Sequence, residues 1–100
     1  MELDKLVHQP TRLQIFTHLY ANGETTFSAL ASALDLTEGN LASHIERMED
    51  ADCVTVEKTF VDRKPRTTYE LTDRGEALFE SHIESLESLI DQIDSDDGSA

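Results

Sequence analysis

The segment from residue 36 to residue 75 constrains the fold of this chain more than any other part of the sequence. It reads LTEGNLASHIERMEDADCVTVEKTFVDRKPRTTYELTDRG. A helical pattern with a polar face comes first, and a strand pattern, a basic turn, a second strand pattern and a new helix start follow it. A helix that carries polar side chains and a β-hairpin therefore lie next to each other in a short piece of chain.

Two further helices precede this segment, and Asn22-Gly23 ends the first of them. The predicted helices cover residues 10–21, 27–34 and 37–51, after an extension over residues 1–9. Thr26 and Thr37 are suitable N-cap residues for the second and third helices. Because a tight turn at Asp35-Leu36 joins these two helices and a hairpin follows, the sequence predicts an α+β, mainly helical, winged helix-turn-helix fold.

The hairpin and a last helix complete the predicted architecture. The first strand begins over residues 53–56, and residues 67–71 are its partner. The connection over residues 59–66 is too long for a two-residue turn and contains a proline, so we expect an exposed loop there. Thr72 is the predicted N-cap of the last helix, which extends to about Ile93.

Charge is unevenly distributed along the chain. The net charge is −13, from 21 acidic and 8 basic residues, and a strongly acidic protein is a poor nucleic-acid binder. Residues 58–68 nevertheless carry four basic residues against one acid, whereas residues 76–100 carry eight acids and no lysine or arginine. The predicted wing is thus the one concentration of positive charge, which favours a phosphate contact over a chance cluster on a solvated turn.

The third helix has a face suited to a DNA groove. With Leu41, Ile45 and Met48 inward, the outward residues are Gly39, Asn40, Ser43 and Arg47. Small or hydrogen-bonding side chains are what a recognition helix needs to enter the major groove, where Asn40 could pair with adenine and Arg47 with guanine or a phosphate. His44 lies at the edge of this face and is either a phosphate ligand or a half-buried packing residue. The helix alone does not exclude an ordinary solvated surface.

The predicted wing adds groups that bind phosphate. Arg63, Lys64 and Arg66 can neutralise backbone charge, and a basic side chain at the tip (Lys64 or Arg66) could enter a narrow minor groove. The predicted DNA-binding residues are Thr37, Gly39, Asn40, Ser43, His44, Arg47, Lys58, Arg63, Lys64, Arg66, Thr67 and Thr68.

The last helix carries a heptad pattern of apolar residues. Its members, spaced by four and three residues in turn, are Phe79, Ile83, Leu86, Ile90 and Ile93. About 22 residues span roughly 33 Å, whereas a domain of some 75 residues has a radius of gyration of about 11 Å, so the helix should extend beyond its own domain. The stripe then predicts a homodimer interface; the alternative is that the helix packs back on its own domain.

The acidic composition and the scarcity of lysine resemble those of proteins from extreme halophiles. At about 1 M salt the Debye length is roughly 3 Å, so repulsion between carboxylates is strongly screened. We therefore expect a halophilic source and a dimer that strengthens with salt.

Catalytic, metal and membrane functions find little support in the sequence. The four histidines lie far apart, and Cys53 has no second cysteine or histidine at ligand spacing. The N-terminus lacks the pattern of a signal peptide, and no apolar run approaches membrane length. We expect a cytoplasmic protein that is not an enzyme and has no metal or cofactor, and no motif identifies a small-molecule effector.

Taken as a set, these motifs resemble the small winged-helix transcriptional regulators of the MarR and ArsR superfamilies, in the compact type found in archaea and bacteria. The matching residues are His8 to Leu13, Leu36 to Leu41, His44, Glu49, Val54, Lys58, Phe60, Pro65, Thr67, Thr68, Tyr69, Leu71, Thr72 and Gly75. The resemblance implies a dimeric, sequence-specific DNA-binding regulator. One departure is Asp52-Cys53, where that family usually has a glycine and an aromatic residue.

The sequence therefore predicts three parts: a DNA-binding domain over residues 1–75, a dimerisation helix over residues 76–94 and a disordered acidic tail over residues 95–100. The predicted function is that of a homodimeric transcriptional regulator that binds a pseudo-palindromic site in double-stranded DNA. The alternative is a winged-helix protein–protein interaction module that does not bind DNA, which the acidic surface favours and the basic wing opposes.

Overall fold

A computed structural model of the chain describes the backbone of residues 2–99 and the side chains of residues 5–94. Its elements, in chain order, are α1 (Glu2–His8), α2 (Pro10–Asn22), β1 (Thr25–Thr26), α3 (Phe27–Leu34), α4 (Glu38–Asp50), β2 (Val54–Val61), β3 (Lys64–Leu71) and α5 (Asp73–Ser99). The three strands form an antiparallel sheet in the order β1-β3-β2. This mainly helical winged helix-turn-helix confirms the predicted fold class, with β1 as a third strand beside the hairpin.

The core forms where α2, α3 and α4 pack against the base of the sheet. The inward residues of α4 are buried as its periodicity predicts, and they meet the apolar sides of α2 and of the hairpin. The fully buried side chains are Val7, Ile15, Phe16, Leu19, Leu30, Leu41, Ile45, Met48 and Cys53. This packing leaves the opposite side of α4 free for contacts outside the domain.

The N-terminal segment is a helix, not the extension that the sequence analysis predicted. Val7 of α1 is buried in the core. Arg12 holds the end of α1 in place, because its Nε donates to the Leu6 carbonyl oxygen at 2.7 Å and its Nη2 to the Lys5 carbonyl oxygen at 3.5 Å. A guanidinium can satisfy carbonyl groups that have no partner within a helix, so a contact distant in sequence stabilises this short helix.

The connection between the strands is a tight turn, so the prediction of an exposed loop over residues 59–66 is wrong. Val61 pairs with Lys64, and Asp62 and Arg63 form the two-residue turn with φ angles of 52° and 66°. Two consecutive positive φ angles are characteristic of a type I′ turn, whose twist matches that of the strands. The sequence did not predict this two-residue turn because Asp62-Arg63 differs from the Asn-Gly or Asp-Gly pair that usually forms it.

Pro65 lies within β3 because its nitrogen faces a free edge. In a two-residue hairpin the residues beside the turn share both ladder hydrogen bonds, and the next pair does not. Pro65, which is opposite Phe60 in that next pair, therefore has its nitrogen directed away from β2. β1 pairs only with Thr68 and Tyr69, so no ladder bond is lost at Pro65.

The end of α4 explains how the chain tolerates Asp52 where its resemblance predicts glycine. Asp52 has a φ angle of 60°, its N–H donates to the Glu49 carbonyl at 2.9 Å, and the Cys53 N–H donates to the Met48 carbonyl at 2.9 Å. These two bonds define a Schellman motif, in which a left-handed residue ends the helix. The helix end is therefore the usual one, formed with an aspartate.

A close contact between two backbones positions the start of α5. Thr72 accepts a hydrogen bond from the Gly75 N–H at 3.0 Å, as predicted for an N-cap, and donates to the Asp52 carbonyl at 2.7 Å. A Cβ atom on Gly75 would overlap the Cys53 carbonyl group. Glycine therefore allows the first turn of α5 to lie directly against the end of the α4–β2 connection.

The heptad residues of α5 divide into two groups. Phe79 is only 6% exposed and packs against Phe16 and Tyr20 of its own chain, with ring centroids 6.5 Å and 4.8 Å away, so it belongs to the domain core and not to a free interface. Ile83 also packs against this core, whereas Ile90 and Ile93 are exposed.

The helix continues past its predicted end at Ile93 to Ser99. The radius of gyration of 16.0 Å exceeds the roughly 13 Å expected for a compact domain of this length, as a projecting helix requires. The predicted acidic tail falls on residues 95–100, whose side chains lie outside the described residues.

Candidate nucleic-acid interface

The outward face of α4 is open to solvent and begins with a capped turn. Thr37 accepts a hydrogen bond from the Asn40 N–H at 3.1 Å, which satisfies one free donor of the helix start. Gly39, Asn40, Ser43 and Arg47 are all exposed, on the side opposite the buried residues of the helix. Nothing lies within 4 Å of a Cβ placed on Gly39, so this part of the helix is slim and can approach another surface closely.

His44 is the half-buried member of this helix and is paired with Arg12. The Arg12 Nη1 lies 3.2 Å from the His44 Nδ1. Since guanidinium is only a donor, His44 Nδ1 accepts, and the ring proton is on Nε2. Burial, and then the charges of Arg12 and Arg47, lower the pKa of His44 below its usual 6.5. At neutral pH the ring is therefore uncharged and offers one Nε2–H donor.

Arg12 is a candidate contact that the sequence analysis did not identify. Burial, and then the charge of Arg47, lower the pKa of Arg12 below its usual 12.5. A cation in the first turn of α2 is unfavourable for the helix dipole, and this is the signal that could have drawn attention to it. Arg12, His44 and Arg47 form a second basic cluster beside α4.

A cleft of about 680 Å³ separates the base of the wing from the first turns of α3 and α4. Its lining residues are Thr26, Phe27, Ser28, Glu38, Pro65, Arg66 and Thr67. Arg66 of the wing and Glu38 of the recognition helix thus open into the same space. The basic wing and the N-terminal end of α4 consequently border the same cleft.

The predicted wing residues differ in how accessible they are. Lys58, Arg63, Lys64 and Arg66 are exposed, and Thr67 is half-buried at the edge of the cleft. Thr68 is only 8% exposed because it lies in the centre of the sheet between Thr26 and Glu57. The prediction that Thr68 contacts DNA is therefore wrong, because its side chain is buried within the sheet and is not accessible to an outside ligand.

A smaller cleft of about 280 Å³ lies where α2 meets α5. The Tyr20 hydroxyl donates to the Glu80 Oε2 at 3.1 Å there, and this bond, followed by burial and the charges of Glu80 and Glu76, raises the pKa of Tyr20. Glu84 and Glu87 also line the cleft. Because this cleft is lined by acidic side chains, it is not part of the basic surface formed by the wing.

The described side chains give no positive evidence for the other function classes. Among the side chains of residues 5–94, no three His, Cys, Asp or Glu residues come together as metal ligands would. None of the described helices has the length and apolar character needed to cross a bilayer.

The fold and this surface define the class of protein: a winged helix-turn-helix with an exposed recognition helix and a basic wing. The family model of the winged helix DNA-binding domain matches residues 11–90 of the chain. The chain belongs to this family. Family and fold together support a DNA-binding transcriptional regulator.

Comparison with solved structures and curated proteins points the same way. A transcriptional regulator homologue from Pyrococcus horikoshii OT3 is 37% identical, with a TM-score of 0.84 over 94% of this chain and 99% of that one. A putative MarR-family regulator from Enterococcus faecalis V583 shares the fold, with 24% identity and a TM-score of 0.79 over 98% of this chain and 87% of that one. The uncharacterized protein MJ0432 of Methanocaldococcus jannaschii is 27% identical over 90% of this chain and 98% of its own length.

Proposed function

We propose that this chain is a homodimeric transcriptional regulator that recognises a specific sequence in double-stranded DNA. The observation that carries this proposal is the cleft shared by Arg66 of the wing and the first turn of α4. A duplex seated on α4 would meet the wing along the same surface. Such a protein acts where the DNA is, in the cytoplasm of a prokaryotic cell.

In this proposal α4 enters the major groove and reads base edges. Asn40 and Ser43 are exposed on the slim N-terminal part of the helix, and Asn is the side chain that pairs with adenine through two hydrogen bonds. Arg47, one turn further on, reaches a guanine or a phosphate. Thr37, Arg12 and the Nε2–H of His44 donate to the phosphates that flank the groove.

The wing supplies most of the positive charge in the proposed complex. Lys58, Arg63, Lys64 and Arg66 neutralise phosphates, and the release of counterions provides affinity that is independent of sequence. Arg63 has a φ angle of 66°, which costs a residue with a Cβ atom roughly 1–2 kcal/mol. Backbone strain of this kind collects at functional sites, and a glycine would remove it. An arginine at the tip of the turn fits a role in binding.

Dimerisation through α5 is supported by the apolar residues that the domain leaves exposed. Ile93 is 61% exposed, and Leu89 and Ile90 are also uncovered, with half-buried Leu86 one turn before. A second copy of the helix is the simplest cover for such a stripe. In a two-fold dimer the recognition helices would lie about 34–36 Å apart, which fits a pseudo-palindromic site.

A source adapted to high salt is supported by the excess of exposed carboxylates. The side chains of Glu76, Glu80, Glu84, Glu87, Asp91 and Asp94 all face solvent on α5. At low salt two such helices would repel each other, and concentrated salt would relieve the repulsion.

Selection of bound fragments from random duplex DNA, at low and high KCl, tests this proposal. We expect the parent protein to enrich a two-fold symmetric sequence. Asn40→Ala should cost about 1–3 kcal/mol and relax the preference at one base pair in each half-site. Arg66→Ala should weaken binding to every sequence alike and reduce the salt slope by about 1.

Two outcomes would contradict the proposal. A parent protein that enriches no sequence and binds no duplex at any salt concentration excludes a DNA-binding role and leaves the protein–protein interaction module as the better reading. An Asn40→Ala variant that keeps the specificity of the parent would exclude Asn40 as a base-reading residue of α4.

A further inference from the structure

The tip of the wing carries an apolar side chain that no internal packing explains. Phe60 is 77% exposed, more than any other large apolar side chain described in residues 5–94. Such exposure of an aromatic ring is unfavourable in water and needs a reason outside the domain. The two-residue turn places the ring one pair away from the end of the hairpin, opposite Pro65.

The face on which Phe60 lies is set by strand alternation. Val54, Val56, Lys58 and Phe60 share one face of β2, and Val54 and Val56 pack on the core with the helices. Phe60 therefore continues the helix side of the sheet beyond the point where the core ends. Its partner Pro65 lines the cleft that also contains the first residue of α4. The ring consequently lies on the same side of the molecule as the recognition helix.

The surroundings of the ring are cationic. Lys58 shares its face and Arg63 lies in the nearby turn, whereas Lys64 and Arg66 flank Pro65 on the facing strand with their side chains on the opposite face of the hairpin. An apolar side chain near the end of a basic hairpin is complementary to a groove that has phosphates along its rims, where an apolar wedge can insert at a base step and pack against the face of a base.

We infer that Phe60 is the groove-inserting residue of the wing: it enters the minor groove beside each half-site and packs against a base step, while the basic residues around it hold the phosphates. This inference rests on the proposed DNA binding and assigns the inserting role to an apolar side chain instead of Lys64 or Arg66. Minor-groove proteins use apolar wedges in this way, and they kink the duplex by about 20–90°.

An apolar contact also suits a protein that works in concentrated salt. Each phosphate contact loses affinity as salt rises, because the release of a counterion gains less entropy in a more concentrated solution. Burial of an aromatic ring involves no counterion and is strengthened by salts that are excluded from protein surfaces. At high salt Phe60 would thus retain its contribution to DNA affinity, whereas the contribution of Arg66 would decline.

Opposite salt responses of two variants test the inference. We would measure binding of the selected duplex by fluorescence anisotropy from about 0.2 to 2 M KCl. Phe60→Ala should weaken binding about 10-fold or more at every salt concentration with an unchanged salt slope, since the variant loses the burial of an uncharged ring and no phosphate contact. The difference in duplex affinity between Arg66→Ala and the parent should shrink towards zero as salt rises. DNA bending, followed by energy transfer between the duplex ends, should decrease only for Phe60→Ala.

Val61→Ala is the matched control, because Val61 is the adjacent apolar residue, is 43% exposed and points to the opposite face. We expect it to bind within about twofold of the parent, a difference of about 0.4 kcal/mol. Because the Phe60 ring is exposed, its removal should leave the melting temperature and the oligomeric state unchanged.

Equal binding by Phe60→Ala and the parent, or an equal loss for Val61→Ala, overturns the inference while leaving the proposed function intact. A change of oligomeric state in Phe60→Ala also overturns it, since the ring would then serve a protein contact. A parent protein that binds no duplex overturns the proposed function and this inference together.

Discussion

Among residues 2–99, four residues with a Cβ atom adopt the left-handed backbone conformation, and three of them are aspartates. Asp35 and Asp52 end α3 and α4, and Asp62 and Arg63 form the hairpin turn, with φ angles between 52° and 66°. A short polar side chain tolerates this region better than most, but glycine is still more favourable. The chain thus uses acidic residues at positions where glycine is usual, in line with its acidic composition.

Asp52→Gly should stabilise the domain. The substitution relieves the left-handed strain and keeps both backbone bonds of the Schellman motif, so we expect a gain of about 0.5–1 kcal/mol. Thermal unfolding would show this as a rise of several degrees. Asp52→Asn removes the same charge without the full conformational gain and so separates the two effects. Asp50→Gly, inside the last turn of α4, should destabilise instead, and a lower melting temperature for Asp52→Gly would refute the assignment.

His44 should make the stability depend on pH. Its folded-state pKa is lowered, first by burial and then by Arg12 and Arg47, whereas the unfolded value is about 6.5. Between these values the unfolded chain binds more protons, so the contribution of the neutral ring is complete above about pH 6.5 and is lost as pH falls towards the folded-state pKa. Urea unfolding at several pH values would measure it.

His44→Gln keeps an acceptor for Arg12 and does not titrate, so the parent should lose stability relative to this variant only as pH falls from about 7 to about 5. Arg47→Gln should reduce the loss, because one of the nearby charges is removed. A constant difference between parent and His44→Gln across this range would contradict the assignment.

At the scale of whole elements, local sequence patterns predicted a helix correctly where one face of that helix is buried in the core. The helices α2, α3 and α4 follow the predicted spans closely because their apolar spacing is regular, and α3 and α4 also begin at the predicted threonine caps. The helix α1 was not predicted, since it depends on Arg12 and on burial of Val7, which are contacts distant in sequence. The turn was missed because its residues are not those that the geometry prefers.

The residues of the candidate site also fall into two groups: those that local sequence patterns predict, and those that depend on contacts distant in sequence. The exposed face of α4 follows from a period of 3.6 residues, so the sequence predicted the accessibility of Asn40 and Ser43. The cluster of Arg12 with His44 joins two helices and has no local signal beyond an unfavourably placed cation. The sequence predicted Phe60 in an exposed loop, and the register of the hairpin shows instead that it is a strand residue whose ring lies beyond the core.

The hairpin turn should show a conflict between stability and binding. Arg63→Gly removes the left-handed strain and should stabilise the fold by about 1 kcal/mol, or roughly 4–8 °C in melting temperature. It also removes a cation from the wing, so the salt slope of DNA binding should fall by about 1. Arg63→Lys retains both the charge and the strain and is the control. If Arg63→Gly binds DNA with the full salt slope of the parent, Arg63 does not contact phosphate.

For the molecule as a whole, salt acts on two surfaces in opposite directions. In the proposed function the basic wing should bind phosphate best at low salt, whereas the acidic helix α5 should meet a second copy best at high salt, where the Debye length falls from about 10 Å to about 3 Å. If DNA binding requires the dimer, the affinity at fixed subunit concentration should pass through a maximum as KCl increases. Either surface alone would give a monotonic dependence.

Sedimentation equilibrium at increasing KCl isolates the dimerisation step. The dimer dissociation constant should fall as salt rises, and Glu87→Gln should flatten this dependence because it removes a repulsive charge from each α5. Ile90→Ala combined with Ile93→Ala should weaken the dimer at all salt concentrations by at least about 10-fold, since it deletes four exposed apolar side chains per dimer. Ser88→Ala, on the opposite side of the helix, should leave the dimer unchanged. A dimer that dissociates as KCl rises, or that tolerates the isoleucine substitutions, would show that α5 does not join the subunits, and the maximum in DNA affinity should then be absent as well.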